Sequence, residues 1–172
     1  MKTSTGFTLI ELMVTLAIMV LLMTIGIPSL INLYEHIRAD SAARVLQQTL
    51  QRGRNTAISY GIQVTICGLS DEGKCGANWQ LGLSVFTDSG TVNQVDGSDK
   101  VLYQTGEFNA KDIVQYNRAA VRFKPDGLAS GTNGTLKYCP GSETSSNSRA
   151  IVVNQAGRVR FSTEKAITCT ND

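Results

Sequence analysis

The stretch from Phe7 to Leu33 reads FTLIELMVTLAIMVLLMTIGIPSLINL, and it decides how the rest of the chain is organised. No charged residue occurs from Leu12 to Leu33. About 20 apolar residues in an α-helix are enough to cross the core of a bilayer. A segment in lipid must also satisfy its own backbone hydrogen bonds, which favours a helix. We therefore predict one membrane-spanning helix over residues 7–33.

A short polar segment, residues 1–6, precedes this helix. A secretory signal peptide is cut at small residues that follow an apolar region of only about 7–15 residues. Here the apolar run is longer, and no such site closely follows it. The junction between Gly6 and Phe7 is a better cleavage site, because a cut there leaves the helix on the mature protein. We therefore interpret residues 1–6 as a leader peptide and residues 34–172 as the globular domain, including the second half of the helix.

Glu11 is an acidic residue near the start of an otherwise apolar run. A charged side chain deep in a membrane costs about 2.5–3.5 kcal/mol, and such residues usually mark a function or a partner. The alternative is that Glu11 lies at the depth of the lipid headgroups and is solvated there.

Residues 6–12, which read GFTLIEL, resemble the leader-peptide junction of type IV pilins and pseudopilins. The resemblance implies that a prepilin peptidase cuts after Gly6 and methylates the new amino terminus at Phe7. It also implies that Glu11 pairs with this amine on a neighbouring subunit when major and minor pilins assemble. The expected location is the inner membrane, with the C-terminal domain in the periplasm, and then the pilus on the cell surface.

Gly26 and Pro28 interrupt the apolar run near its end. Proline lacks a backbone N–H group and clashes with the preceding helical turn. We therefore expect a kink or a locally melted turn near these two residues. The resemblance to pilins implies that such a segment lets the helix bend as it packs into a filament.

The helical pattern continues beyond the membrane segment. Apolar and small residues recur at steps of three and four, which is typical of a helix with one buried face; they are Leu30, Leu33, Tyr34, Ile37, Ala42, Val45, Leu46, Thr49, Leu50, Gly53 and Ala57. Gly61 is a natural stop. We therefore predict a helix that ends at Tyr60, with its second half packed on a sheet.

After Gly61 the pattern changes to alternation, which is typical of strands. We predict strands or short strand segments at residues 62–67, 79–86, 101–103, 113–116, 120–123, 136–139, 149–153 and 158–161. The last two are expected to form a hairpin around residues 154–157. The predicted fold class is α+β, with a long N-terminal helix packed on a mostly antiparallel sheet.

Four cysteines lie beyond the membrane segment, at Cys67, Cys75, Cys139 and Cys169. An even number in an exported domain indicates disulfides. Three pairings are possible, and we prefer Cys67–Cys75, which closes a short loop, with Cys139–Cys169, which ties down the C-terminal end. The spacing does not match common zinc patterns, and the only histidine, His36, is distant in sequence. We predict no metal site.

The charge of the chain is nearly balanced, at +2 over 172 residues, but it is unevenly distributed. Residues 69–112 contain seven acidic and three basic side chains, whereas residues 113–172 contain eight basic and four acidic ones. Net charge therefore says little about partners, while the C-terminal part is locally basic.

Two later segments extend the resemblance. Residues 123–127 (FKPDG) and 157–160 (GRVR), together with the cysteines, resemble the FimT/FimU/GspH group of minor pilins and minor pseudopilins. FimT-like pilins of naturally transformable bacteria are implicated in DNA binding through a GRVR-like motif, whereas FimU-like and GspH-like relatives are structural subunits at filament tips. A minor pseudopilin of a type II secretion system is therefore the alternative function. A third interpretation is an adhesin that uses the loops 88–100 or 141–148.

Arg158 and Arg160 lie two residues apart in a predicted strand, so their side chains point to the same face. We expect Arg149 across the hairpin, and Lys165 and Lys137 to add to this surface. Because arginine presents a planar fork of donors, such a cluster suits phosphate, and we predict non-specific DNA binding. The alternative is the solvated polar face that surface strands normally have.

No combination of residues indicates an active site. His36 follows the membrane segment on the helix, acidic residues lie in loops, and the glycine-rich stretches lack the context of a phosphate-binding loop. The sequence predicts a protein that acts by assembly and contact, with no enzymatic activity and no cofactor.

Overall fold

The computed structural model describes residues 8–76, 78–129, 131–164 and 166–170. They fall into two units, one up to Glu35 and one from His36 onward. The predicted cleavage and methylation sites at Gly6 and Phe7, and the basic residue Lys165, lie outside the described residues.

One α-helix, α1 (Leu9–Tyr60), confirms the helix predicted to end at Tyr60. It is long and apolar enough to cross a membrane, by length and composition. The helix is unbroken through Gly26 and Pro28. The locally melted turn, one of the two predicted alternatives, is therefore wrong for the chain outside a filament, whereas a kink at these residues stays a prediction. Bending of this segment within a filament stays a prediction.

The second half of α1 buries a stripe of mostly small residues, which are Ala39, Ala42, Ala43, Leu46, Thr49, Leu50, Gly53 and Ala57. A Cβ atom on Gly53 would lie 2.5 Å from Ile66 Cδ1, so any larger residue at this position requires the Ile66 side chain to shift. Ile37 and Val45, which the pattern places on the stripe, are 59% and 41% exposed. The buried face is shifted because small side chains let the strands come closer than large ones.

In the part of the chain that the structure describes, eight strands form two four-stranded antiparallel sheets, where the sequence predicts one. The strands are β1 (Val64–Cys67), β2 (Ser84–Thr87), β3 (Val101–Gln104), β4 (Ile113–Tyr116), β5 (Val121–Phe123), β6 (Gly134–Cys139), β7 (Arg149–Val153) and β8 (Val159–Phe161). The orders are β3-β2-β1-β5 and β4-β6-β7-β8. β4 and β5 are consecutive along the chain, but β4 pairs with β6 and β5 pairs with β1, so they belong to different sheets. The α+β fold is confirmed.

The strand predicted from Trp79 begins later, at Ser84. Trp79–Leu81 instead forms a 3₁₀ turn, in which the Gln80 N–H donates to Asn78 Oδ1 at 3.0 Å. Trp79 is buried, and its ring lies 5.2 Å from that of Tyr116. The first part of the apolar alternation therefore reflects a turn with Trp79 buried and Leu81 exposed, and only its second part forms a strand.

Both predicted disulfides, Cys67–Cys75 and Cys139–Cys169, are confirmed. They leave no free cysteine. Within the described ranges, no group of three or more His, Cys, Asp or Glu side chains is placed to hold a metal ion.

Candidate nucleic-acid interface

The β7–β8 hairpin determines where the two C-terminal arginines point. Val159 pairs with Val153 and is buried, whereas Arg158 and Arg160 on either side of it are exposed. The Asn154 N–H donates to the Arg158 carbonyl at 3.1 Å, and the Arg158 N–H donates to Asn154 Oδ1 at 2.8 Å. The turn therefore holds the backbone of Arg158 from both sides, and both arginines lie on the outer face of the second sheet.

Lys137 lies on the same outer face, two strands away. The register places Thr135, Val152 and Arg160 in one row across the sheet. The next row on this face consists of Gln115, Lys137 and Ala150. None of these six strand residues is acidic, and Ala150 is buried, so the charged strand residues in these two rows are Arg160 and Lys137.

Arg149 lies on the opposite, core-facing side of β7. It pairs with Tyr138 in the register, beyond the end of β8, so its predicted place beside Arg158 and Arg160 is wrong. Its Nε donates to Asp40 Oδ1 of α1 at 2.7 Å. This hydrogen bond lowers the pKa of the Asp40 carboxyl, against a smaller opposing effect of burial. The positive charge of Arg149 is therefore paired with the Asp40 carboxylate within the domain.

The outer-face cations differ from Arg149 in their surroundings. Among the residues that the structure describes, Arg158, Arg160 and Lys137 have no carboxylate within 4 Å. Arg160 Nη1 makes one long contact, of 3.5 Å, to the Phe161 carbonyl. These positive charges are thus not neutralised within the described part of the chain and are available to an external anion.

A contact that the sequence does not reveal joins the two motif segments. Arg54 of α1 donates from Nε to the Gly127 carbonyl at 3.1 Å and from Nη2 to the Ala156 carbonyl at 3.2 Å. Gly157 has φ +73°, and a Cβ atom on it would lie 1.8 Å from the Gly127 oxygen. The turns at residues 124–128 and 154–157 therefore lie against each other, and we call this contact the turn clasp. Arg54 carries no motif that would single it out.

Asp112 is a buried carboxylate whose hydrogen bonds hold parts of the domain together. Asp112 accepts hydrogen bonds from Arg38 Nη2 at 2.7 Å, from the Gly141 N–H at 3.0 Å and from the Tyr138 hydroxyl. Burial raises the pKa of the Tyr138 hydroxyl, and the hydrogen bond to Asp112 raises it further. This cluster joins α1 to the second sheet, and it presents no nucleophile or base to solvent.

The remaining predicted site residue that the structure describes is Glu11. It lies exposed in the first turn of α1, where its N–H donates to Thr8 Oγ1 at 3.3 Å. Its pairing with an amine of another subunit stays a prediction, since that amine belongs to a second chain.

Comparisons with known proteins agree with this architecture. The family model described as "Type II transport protein GspH" matches residues 42–157, and the "Prokaryotic N-terminal methylation motif" matches residues 1–27. The chain is 30% identical over 177 residues to pilin-like protein PilA1 of Thermus thermophilus, which covers 92% of this chain and 99% of that protein.

Two crystal structures of the type IV minor pilin FimU of Pseudomonas aeruginosa share the fold. The first has a TM-score of 0.62 at 24% identity and covers 77% of this chain and 95% of FimU. The second has a TM-score of 0.60, also at 24% identity, and covers 76% of this chain and 99% of the FimU chain in that structure. The long helix, the antiparallel sheets and the two disulfides thus define a type IV pilin fold.

The chain belongs to the FimT/FimU/GspH group of type IV minor pilins and pseudopilins. Pilins are structural proteins that associate with other pilins in a filament. The apolar first half of α1 and the methylation motif are consistent with membrane anchoring and with a pilus.

Proposed function

We propose that this minor pilin binds DNA without sequence preference and contributes to DNA uptake from a type IV pilus. The observation that carries the proposal is the pair Arg158 and Arg160, exposed on either side of the buried Val159 at the start of β8, with no carboxylate within 4 Å in the described part of the chain. Guanidinium groups suit phosphate because they offer a planar fork of donors. Contacts to phosphate position a protein on DNA but carry no sequence code.

Lys137 extends this surface along the outer face of the second sheet. Arg149 does not belong to it, because its guanidinium group is bonded to Asp40 on the other side of β7. Lys165 remains part of the proposal from sequence alone. With so few contacts, we expect an affinity in the range of non-specific binding, with Kd about 10⁻⁴–10⁻⁶ M. Several subunits in one filament compensate for this weakness by engaging the same DNA together.

The proposal includes the route to the filament. The leader, residues 1–6, is removed by a prepilin peptidase at Gly6, and the new amino terminus at Phe7 is methylated. Residues 7–33 span the inner membrane with residues 34–172 in the periplasm, and the subunit then joins major and minor pilins in the pilus. The match of the methylation motif to residues 1–27 supports this route.

The test measures binding of the full chain, in a neutral detergent, to a short duplex at salt concentrations of about 50 and 200 mM. Replacing both Arg158 and Arg160 by Gln removes two phosphate contacts, so the slope of log affinity against log salt falls by about 2. The matched control, R52Q with K100Q, removes the same charge from exposed positions elsewhere. Absence of binding by the parent at the lower salt, or equal loss in the control, overturns the proposal.

The second candidate function is that of a minor pseudopilin in a type II secretion system. The match to the GspH family model favours it, and the leader, helix and fold are the same for both functions. Deleting the gene separates them: a defect in protein secretion with normal DNA uptake supports the pseudopilin, and the reverse supports the DNA-binding pilin.

A further inference from the structure

The turn clasp brings a further basic residue to the proposed surface. We propose that the turn at residues 124–128 belongs to the same phosphate-binding surface, with Lys124 as its phosphate contact and Arg54 as the residue that positions the two turns. This inference rests on the proposed DNA-binding function.

Lys124 begins a tight turn and is held there by its backbone. Its N–H donates to the Leu128 carbonyl at 2.9 Å, and its carbonyl accepts from the Gly127 N–H at 2.8 Å. The Lys124 side chain is exposed, and no described carboxylate lies within 4 Å of its ammonium group. Asp126 is the acidic residue of this turn, and its Oδ1 accepts from the Leu128 N–H at 3.0 Å. The turn therefore presents the ammonium group of Lys124 without a described ion-pair partner, while the Asp126 carboxylate is hydrogen-bonded to the backbone.

The clasp limits the distance between Lys124 and Arg158. Gly157, next to Arg158, approaches the Gly127 oxygen so closely that a side chain does not fit. The ends of a four-residue turn lie within about 7 Å, and neighbouring Cα atoms are about 3.8 Å apart. The Cα atoms of Lys124 and Arg158 thus lie within roughly 16 Å of each other. A few successive phosphates of one strand, with a rise of about 3.4 Å each, bridge this distance.

Arg54 holds the two turns at this spacing because its planar group donates to a carbonyl from each. A further hydrogen bond, from the Ala129 N–H to the Gln155 carbonyl at 3.1 Å, joins the same segments. Lysine offers a single point charge and does not reproduce a rigid two-pronged contact. Arg54 therefore acts through the backbone of both turns, as a positioning residue.

The experiment uses the full chain in neutral detergent and compares Lys124→Gln with the exposed control Lys100→Gln. Loss of one phosphate contact lowers the salt slope by about 0.9 and the affinity by roughly tenfold at about 50 mM salt, and by less at 200 mM. Lys100→Gln is expected to leave the slope unchanged. Conversely, Asp126→Asn is expected to raise the affinity, since it removes a negative charge from the turn.

The positioning role is tested with Arg54→Lys against Arg52→Lys, because both keep the charge and lie on α1. We expect Arg54→Lys alone to weaken DNA binding at a temperature where both variants remain folded. A lower Tm with unchanged DNA binding overturns the positioning role. If Lys124→Gln leaves the slope of log affinity against log salt unchanged while the Arg158/Arg160 double variant binds DNA more weakly, this inference is overturned. The proposed function then remains intact. Failure of the parent to bind overturns both.

Discussion

The two halves of α1 have opposite relations to their surroundings. In the first half large apolar side chains are exposed, with Leu22 at 68% and Ile25 at 75%. In the second half, Leu46 and Leu50 are completely buried against the strands. Burying a leucine side chain contributes about 1.5–3 kcal/mol. The second half finds its apolar partner in its own domain, whereas the exposed apolar surface of the first half is consistent with a partner outside the chain, in a membrane or in a pilus.

Side-chain size explains how one helix serves both purposes. The first half carries large apolar residues on all sides, which suits a uniformly apolar environment. The second half carries alanine and glycine on one stripe, so that strand residues such as Ile66 approach the helix backbone closely. The comparison teaches that an apolar helix stabilises its own domain only where its surface matches that of the sheets.

The largest expected effect comes from a matched pair of leucines. Leu46→Ala leaves a cavity in the core and is expected to lower the free energy of unfolding by about 2–5 kcal/mol. Leu22→Ala removes the same atoms from the exposed half and is expected to leave that free energy unchanged. Denaturant unfolding of the full chain in neutral detergent, followed by tryptophan fluorescence of the buried Trp79, measures both. Equal destabilisation by the two variants contradicts the comparison.

A second prediction concerns the external partner of the first half. Glu11→Ala is expected to insert into the membrane normally but to reduce incorporation into sheared pili by about tenfold, equivalent to about 1.4 kcal/mol. The physical reason is that the predicted ion pair with the amine of Phe7 on the neighbouring subunit loses its carboxylate.

The control for this variant is Thr15→Ala, one turn further on, because the Thr15 hydroxyl donates to the Leu12 carbonyl at 2.9 Å within its own helix. Immunoblotting of pilus and membrane fractions measures the distribution. Normal incorporation of Glu11→Ala shows that the carboxylate has no role in assembly.

The smallest expected effect concerns the ion pair between Asp40 and Arg149, near the start of the buried half of α1. The hydrogen bond from Arg149 lowers the pKa of Asp40, so the ion pair contributes stability above the unfolded-state pKa of about 4. That stability is lost as the pH falls through the lower folded-state pKa. Asp40→Asn is expected to cost at most about 1 kcal/mol at pH 7, as for partly exposed pairs, and to reduce the acid dependence.

Unfolding at neutral and acidic pH tests this sign, with Asp71→Asn, which alters an exposed loop carboxylate, as the control. If Asp40→Asn loses as much stability on acidification as the parent, the pair has no part in the acid response.

The features that were predictable from the sequence are local ones. The end of α1 at Tyr60 follows from a 3.6-residue pattern and a glycine stop. The β7 strand, Arg149–Val153, and the pairing Cys67–Cys75, which closes a short loop, were likewise predicted correctly. The start of the strand expected from Trp79 was wrong, because a short apolar alternation does not distinguish a strand from a turn with a buried anchor.

The candidate surface was only partly predictable. The alternation of Arg158 and Arg160 about Val159 follows from the two-residue period of a strand. The position of Arg149 depends on the register of β7 and β8, since a residue beyond the end of β8 has no partner there. Arg54 lies on a different element, more than 70 residues before either of its two carbonyl partners, and no local pattern indicates such a contact.

By itself, the sequence determined that a pilin methylation motif covers the start of a long apolar helix, that this helix continues to Tyr60, and that Arg158 and Arg160 point away from the buried Val159. These properties depend on neighbouring residues and on the periods of helix and strand. Only the tertiary structure decided that there are two sheets, that Arg149 is bonded to Asp40, and that Arg54 holds two turns together. These contacts join distant segments, and the packing of small side chains and the strand register select them.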